Sequence, residues 1–501
     1  MYQSLIETAA EHFGYQKGQV EKDYWISKVL KELVSVPEYQ GKIFFKGGTS
    51  LSKAYHIIER FSEDLDLFVF TGNLTDSQEK QKQLNGNIYN HIKEQYNNHI
   101  KEELGLRGGN FNKIVIDYRP MFTNNKLKDS LEVEIKSCGL KDKRIMYYPS
   151  DVITVQSLIG EHLNLMDRQD VAEKYGLDGF EVNCLNPKKT ICDKISRMTR
   201  ISYSSKPIES FAKHIRDIYD LHKILQTEEG YKFIRSRDFL NGMYSVWVED
   251  MKDRMARTHL PLSKTVIFCN PNRILNEKQI KTAYNTDLKG LMFEQDKMPT
   301  LKEIESSMII YGQCLRQFDR YRDAKTGASR NRISDVEFST KTNEDGKEKT
   351  MIRCRIDGIL QDFKDSSFDD AQLVKDGLLY PDMAGFKWYC DTMGDPNLSY
   401  EKEPPKNLMD KDRLINIASR MTLFQVPAEA LTPEENEAVK RHFDSFYSIG
   451  EKEQELNEIW AAAEKLPQTR TAARWLADAK DCFYQIAGLQ KENDLKHGLK
   501  L

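Results

Sequence analysis

The 501-residue chain lacks any run of about eighteen apolar residues, so no segment of it reads as a membrane span. It also lacks a CxxC pair. Its eight cysteines are scattered singly, which argues against zinc and for buried thiols in a reducing compartment. Residues Met1 to Glu7 carry neither a basic segment nor an apolar one, so no export is expected and the cytoplasm is the expected location. The charge is nearly balanced, at -3 overall, so any grip on nucleic acid has to come from a local patch. No internal repeat is present, which sets solenoid and propeller architectures aside.

The length exceeds one ordinary core, so at least two domains are expected. Val20, Tyr24, Val29, Leu30 and Leu33 recur at helical spacing. The apolar run Ile43-Phe44-Phe45 is long enough for a buried strand and stops at Lys46-Gly47-Gly48. Thr49 or Ser50 is then expected to cap a helix running through Leu51, Tyr55, Ile57 and Ile58. A second strand is expected over Asp64–Phe70 and a polar helix over Thr75–Ile100. Ile114–Ile116 and Leu131–Ile135 alternate like half-buried strands. From Pro187 the pattern turns helical, with stripes Ile191, Ile195, Met198 and Phe211, Ile215, Ile218, Leu221, Leu225.

The fold class read from this pattern is α+β. A small mixed-sheet core over residues 1–186 is followed by a helical half over 187–318. Residues 319–350 read as a linker or exposed hairpin, and 351–501 as a mostly helical C-terminal domain of unassigned role.

The chemistry concentrates between residues 47 and 66. Asp64 and Asp66 are two apart on an expected strand, so both carboxylates leave one face while Leu65, Leu67 and Val69 fill the other. Two close carboxylates repel, and a divalent cation such as magnesium stabilises both in the ionised form. Gly47 and Gly48 allow close backbone approach to phosphate, with Ser50 as a hydroxyl donor, although a Gly-Gly pair after a strand also reads as a plain tight turn. Strand, glycine loop, helix and DxD strand in this order bring a triphosphate and a metal together. Glu132 and Glu134 share one strand face, and either reads as a third carboxylate, as a general base, or as part of a solvated edge. Lys53, one turn into the helix, reads equally as a phosphate contact or as a surface lysine.

Two stretches, Phe45-Lys46-Gly47-Gly48-Thr49-Ser50-Leu51-Ser52-Lys53 and Arg60-Phe61-Ser62-Glu63-Asp64-Leu65-Asp66-Leu67, resemble the signature of the AbiEii nucleotidyltransferases. These are toxin components of bacterial toxin–antitoxin and abortive-infection (phage defence) systems, within the DNA polymerase beta-like superfamily. Lys22-Asp23-Tyr24-Trp25 resembles the family's N-terminal helix motif. Leu185-Asn186-Pro187 with Thr190–Ile195 resembles its lysine segment, and His214–Leu221 its late RDxYDL helix.

The resemblance implies magnesium on Asp64 and Asp66 and phosphates at Ser50; the residues themselves add Glu134 to the metal set and Gly47, Gly48, Thr49 and Lys53 to the phosphate contacts. It implies an active-site serine at Ser62, a nucleotide contact at Lys194, the acid of the late motif at Asp217, and a helical half that completes the cleft. The implied reaction is attack of an acceptor hydroxyl on the α-phosphorus of a nucleoside triphosphate, with release of pyrophosphate. RNA, at the 3′ end of tRNA, is the implied acceptor, and a DNA-binding antitoxin encoded nearby is the implied partner; no membrane is expected to be involved. A protein or small-molecule acceptor, or an adaptor role for the C-terminal region, remains an alternative. The cluster Arg316, Arg320, Arg322, Lys325, Arg330 and Arg332, interleaved with Phe318 and Tyr321, reads either as an RNA track or as a solvated helix end.

Overall fold

A computed structural model of the chain describes residues 2–105, 110–123, 127–137, 147–204, 206–251, 262–326, 333–342, 346–356 and 359–362. Beyond Asp362 the expected helical C-terminal domain therefore lies outside the described residues. The described residues form two compact units, one within Met1–Ile191 and Thr282–Met298, the other within Cys192–Lys281 and the described stretch from Pro299 onward.

The first unit is built on a seven-stranded sheet. Its strands are β1 (Ile43–Lys46), β2 (Leu65–Val69), β3 (Ile100–Gly105), β4 (Phe111–Ile116), β5 (Leu131–Ser137), β6 (Ser150–Val155) and β7 (Phe180–Leu185). They lie in the order β3-β4-β5-β2-β1-β7-β6. Pairs β2–β5 and β1–β7 are parallel and the remaining four are antiparallel, so the sheet is mixed.

Alternation decides its two faces. Ile43 and Phe45, Leu65, Leu67 and Val69, and Leu131, Val133 and Ile135 all point into one core. The helices Lys17–Val34 and Gln78–Gln95 cover that face with Ile26, Val29, Leu30, Leu33, Leu84, Ile88 and Ile92. Each such side chain contributes roughly 1.5–3 kcal/mol on burial. The opposite face of β1, β2 and β5 carries Lys46, Asp66 and Glu134, together with Phe44 and Phe68, whose rings lie 6.0 Å apart.

The N-terminal helical stretch is two helices, Tyr2–Phe13 and Lys17–Val34, broken at Gly14, whose φ of +68° suits glycine. The segment Thr282–Met298 returns to this unit through backbone bonds. Phe61 N–H donates to the Leu291 carbonyl (2.8 Å) and Phe293 N–H to the Glu59 carbonyl (3.0 Å). Thus the first unit is discontinuous in sequence, unlike a division at residue 186.

The second unit is mainly helical. Its stripes Ile195, Met198, Phe211, Ile215, Ile218, Leu221 and Leu225 are buried, as their spacing predicts. The helix Leu301–Thr326 runs through its centre, and Tyr311 donates to the Leu221 carbonyl at 2.9 Å. Gly312 lets it approach Phe268, because an added Cβ would stand 2.3 Å from the Phe268 carbonyl oxygen. A three-stranded antiparallel sheet follows: β8 (Ile333–Thr342), β9 (Glu348–Ile356) and β10 (Ile359–Asp362).

Residue 318 is not a boundary, since the helix continues to Thr326. Asp319 and Arg322 are buried as an ion pair (3.4 Å), and Asp319 accepts from the N–H groups of Leu262 (2.8 Å) and Ser263 (3.0 Å). Arg322 also lies over the Trp247 ring, and Phe318 is buried. Neither is placed for an RNA track. Because removing one partner of a buried pair costs about 3–5 kcal/mol, Asp319→Ala is expected to lower the stability of this unit by about 3 kcal/mol. A urea transition of the variant coinciding with that of the parent would exclude this anchoring role.

Candidate active site

β1 runs directly into the helix Gly47–Lys53, with Lys46 as N-cap residue and no side-chain cap. Thr49 and Ser50 therefore lie inside the helix and do not cap it. The helix is also shorter than the apolar spacing predicts: it ends at Lys53, and His56 takes a φ of +51°, so Tyr55, Ile57 and Ile58 lie beyond it. Buried Ser50 donates to the Gly47 carbonyl (3.0 Å). Thr49 Oγ1 donates to the Asp64 carbonyl (2.5 Å) and lies 3.0 Å from Ser62 Oγ. Through this threonine the glycine loop is tied to the DxD strand.

Both glycines are required by what crowds them. Gly47 has a φ of +80°, and a Cβ there would stand 2.2 Å from Asp66 Oδ2. A Cβ at Gly48 would stand 2.7 Å from Arg60 Nη2 and 2.8 Å from Ser62 Oγ. The loop is thus a cradle into which the side chains of Asp66, Ser62 and Arg60 project.

Strand register sets the charges in a row. Lys46 pairs with Asp66, Asp66 with Glu134, and Glu134 with Lys113, on one face of the sheet. Burial, then the charge of Asp66 and, more weakly, that of Asp64, pushes the Glu134 carboxyl above its usual range against the pull of Lys46. Glu132 differs. Burial works against its ionisation, but the ammonium groups of Lys113 (2.6 Å) and Lys128 (2.5 Å) prevail and hold its carboxyl below the usual range. Of the two glutamates, Glu134 is the one facing the aspartates.

Among the described residues, no group of three or more His, Cys, Asp and Glu is arranged to hold a metal ion by itself. Magnesium does not require one, since it is commonly held by one or two carboxylates with water and substrate phosphates completing the shell. The hard oxygens of Asp64 and Asp66, with an electrostatically raised Glu134 across the register, fit that chemistry.

The N-terminal helix motif explains how this face is held. Lys22, fully buried, donates to Glu63 Oε2 (2.9 Å) and to the Lys128 carbonyl (2.8 Å), while Lys128 N–H donates to the same Glu63 oxygen (3.0 Å). Asp23 accepts from Lys53 Nζ (2.6 Å) and from Leu158 N–H (2.7 Å). Lys53 also donates to the Gln156 carbonyl (2.6 Å). Lys53 is therefore buried and bound on the core side of its helix, and not directed at a phosphate. Trp25 and Tyr24 pack against the two cores.

Lys194 and Asp217 form a cluster of their own in the second unit. Buried Lys194 is paired with Asp217 and lies 2.8 Å from Asp220, which is fully buried. Arg197 adds a 3.0 Å contact to Asp217. Burial alone would raise the Asp217 carboxyl, but the charges of Lys194 and Arg197 hold it well below the usual carboxylate range. The sequence reading missed Asp220 and Arg197. Their signal was spacing: each lies three residues beyond a named residue, on the same helix face. It also missed Lys46, Arg60 and Lys128, which no spacing rule singles out.

Gly47→Ala forces a Cβ onto the Asp66 carboxylate, and a displacement of about 1 Å at a reacting centre costs about a hundredfold in rate. Nucleotidyl transfer is expected to fall by about that factor. Gly41→Ala is the control: its φ is similar at +70°, but nothing lies within 4 Å of the added Cβ. Equal transfer rates for the two variants would show that Asp66 is not held against the loop.

Comparison with known proteins bears on the same residues. Among solved structures, MenT4, a nucleotidyltransferase toxin from Mycobacterium tuberculosis H37Rv, aligns at 16% identity with a TM-score of 0.38, over 64% of this chain and 95% of its own. No curated protein matches the chain. The family model described as "Nucleotidyl transferase AbiEii toxin, Type IV TA system" matches residues 28–322, more than half the chain and a span that contains the glycine loop, the DxD strand and the Lys194 cluster. The chain therefore belongs to the AbiEii family of type IV toxin–antitoxin systems, and it is a nucleotidyltransferase toxin for which that family implies a cognate antitoxin.

Proposed function

We propose that this protein transfers a nucleoside monophosphate from a nucleoside triphosphate to an RNA acceptor, the 3′ end of tRNA being the first candidate, in a magnesium-dependent reaction in the cytoplasm. The observation that supports the chemistry best is the fit of Asp66 into the space above Gly47, beside Glu134 and the Ser62–Thr49 contact. The choice of RNA rests on the resemblance carried by the five sequence motifs. Among the described residues no helix is long and apolar enough to cross a membrane.

In this reading the loop backbone at Gly47–Gly48 and the Ser62 hydroxyl align the phosphates. The acceptor oxygen bonds to the α-phosphorus as the bond to the bridging oxygen breaks, and pyrophosphate leaves. The acceptor proton passes to Glu134, which burial and the neighbouring aspartates make more basic. Asp64, Asp66 and Glu134 would hold magnesium, which when bound neutralises phosphate charge and lowers the pKa of the attacking hydroxyl. Lys194 contacts the nucleotide, with Asp217 holding its ammonium. The antitoxin is a DNA-binding protein encoded nearby.

Asp64→Asn and Asp66→Asn keep the volume and lose the charge. Each is expected to lower transfer at least about a thousandfold, as several kcal/mol of charge stabilisation are lost. Labelled triphosphates and total RNA, with and without EDTA, test this. Activity that survives excess chelator would sink the metal assignment, and label appearing on protein alone would sink RNA as acceptor.

Induction of the wild-type chain without its antitoxin is expected to arrest bacterial growth, and induction of Asp64→Asn to leave it unaffected. Matched-expression growth curves read this directly. Arrest by both forms would separate the toxicity from the chemistry.

A further inference from the structure

We infer that Lys46 and Lys128 are the triphosphate-binding cations of this site, with the buried Lys22–Glu63 pair positioning Lys128; the inference deepens the function proposed above and rests on it. Lys22, Lys46, Lys53 and Lys128 lie around the glycine loop and the DxD strand, and the structure separates these four into two kinds. Lys22 and Lys53 are buried, with side chains 0% and 6% exposed and their ammonium groups held by Glu63, Asp23 and backbone carbonyls. Lys46 and Lys128 are the accessible pair, with side chains 21% and 44% exposed. Each reaches one of the two aspartates. Lys46 Nζ is 3.9 Å from Asp66 Oδ1, and Lys128 Nζ is 3.5 Å from Asp64 Oδ1.

The two ammonium groups thus attend the two carboxylates of the DxD from different strands and loops, one on β1 and one ahead of β5. A phosphate chain laid against Asp64 and Asp66 meets a cation from each. The Lys46–Asp66 contact, at 3.9 Å and part-exposed, is held loosely, while Lys128 is shared between Glu132 at 2.5 Å and Asp64 at 3.5 Å, so an incoming triphosphate competes with Glu132 for its ammonium group. Lys128 additionally has its backbone fixed at both polar groups: its N–H donates to Glu63 and its carbonyl accepts from Lys22. The buried pair therefore sets where the Lys128 side chain starts. Lys22 and Glu63 act through Lys128 and are positioning residues.

The full-length protein, titrated with inorganic tripolyphosphate and with each nucleoside triphosphate in the presence of calcium to prevent turnover, tests the assignment. Lys46→Met and Lys128→Met are each expected to weaken tripolyphosphate binding at least about tenfold, with Lys→Arg at either position restoring it to within a few-fold. In transfer assays the same changes are expected to raise KM more than they lower kcat. Glu63→Gln is expected to weaken binding only when Lys128 is present, so that the Glu63→Gln, Lys128→Met double variant matches Lys128→Met alone. Unchanged tripolyphosphate affinity in both methionine variants, with wild type binding normally, overturns this inference and leaves the proposed function standing. Absence of binding by the wild-type protein overturns both.

Discussion

Two buried ion pairs, Lys22 with Glu63 and Asp23 with Lys53, tie one helix to the glycine loop and to the turn before Asp64. Such pairs seldom stabilise a fold on balance, because desolvating both charges offsets most of their attraction. What they supply is geometry. Lys22 and Asp23 are adjacent, yet they reach different segments: one the turn that leads into Asp64, the other the far end of the glycine-loop helix. Both pairs are buried, so a shifted loop would pull a charge in the core away from its partner. The turn and the helix are then joined again by Thr49, which bonds the Asp64 carbonyl. The result is a closed frame around a site whose own residues repel one another.

Repulsion is the other half of the design. Along the sheet the charges run Lys46, Asp66, Glu134, Lys113, so the two like charges sit in the middle with a cation on either flank. The flanking lysines reduce the strain on the carboxylates but do not remove it, and Glu134 keeps a raised affinity for its proton. A second arrangement appears in the Lys194 cluster, where one lysine faces two aspartates and Arg197 supplies the balancing charge. In both places burial magnifies the charges, and neighbours of opposite sign determine which of them stay ionised.

The central strands were legible because each pairs a wet face with a dry one. β5 alternates from Leu131 to Lys136 and β2 does so as far as Leu67, so that Asp66, Glu132 and Glu134 mark the polar side. β6 offered no such pattern, since five of its six residues are exposed or half-exposed. The short glycine-loop helix was misread because Tyr55, Ile57 and Ile58 keep a helical spacing, although the backbone turns out of the helix at His56. Lys53 illustrates a deeper limit. Its place one turn past the glycines suits a phosphate ligand, and only the tertiary partner Asp23, thirty residues earlier, turns it to the other side. Arg322 failed as an RNA contact for the same reason: its partner Asp319 and the Trp247 ring are supplied by packing, which a count of basic residues does not register.

The discontinuous first unit has a bearing on how the protein is made. Leu291 and Phe293 lend backbone hydrogen bonds to Phe61 and Glu59, and the Phe293 ring stacks on Tyr15 at 4.3 Å. These contacts brace the turn immediately before Ser62 and Asp64, and they come from a stretch translated more than two hundred residues later. While the ribosome is still producing the intervening helices, that turn lacks its brace. The turn before the DxD strand is therefore completed only after residues 192–281 have been synthesised.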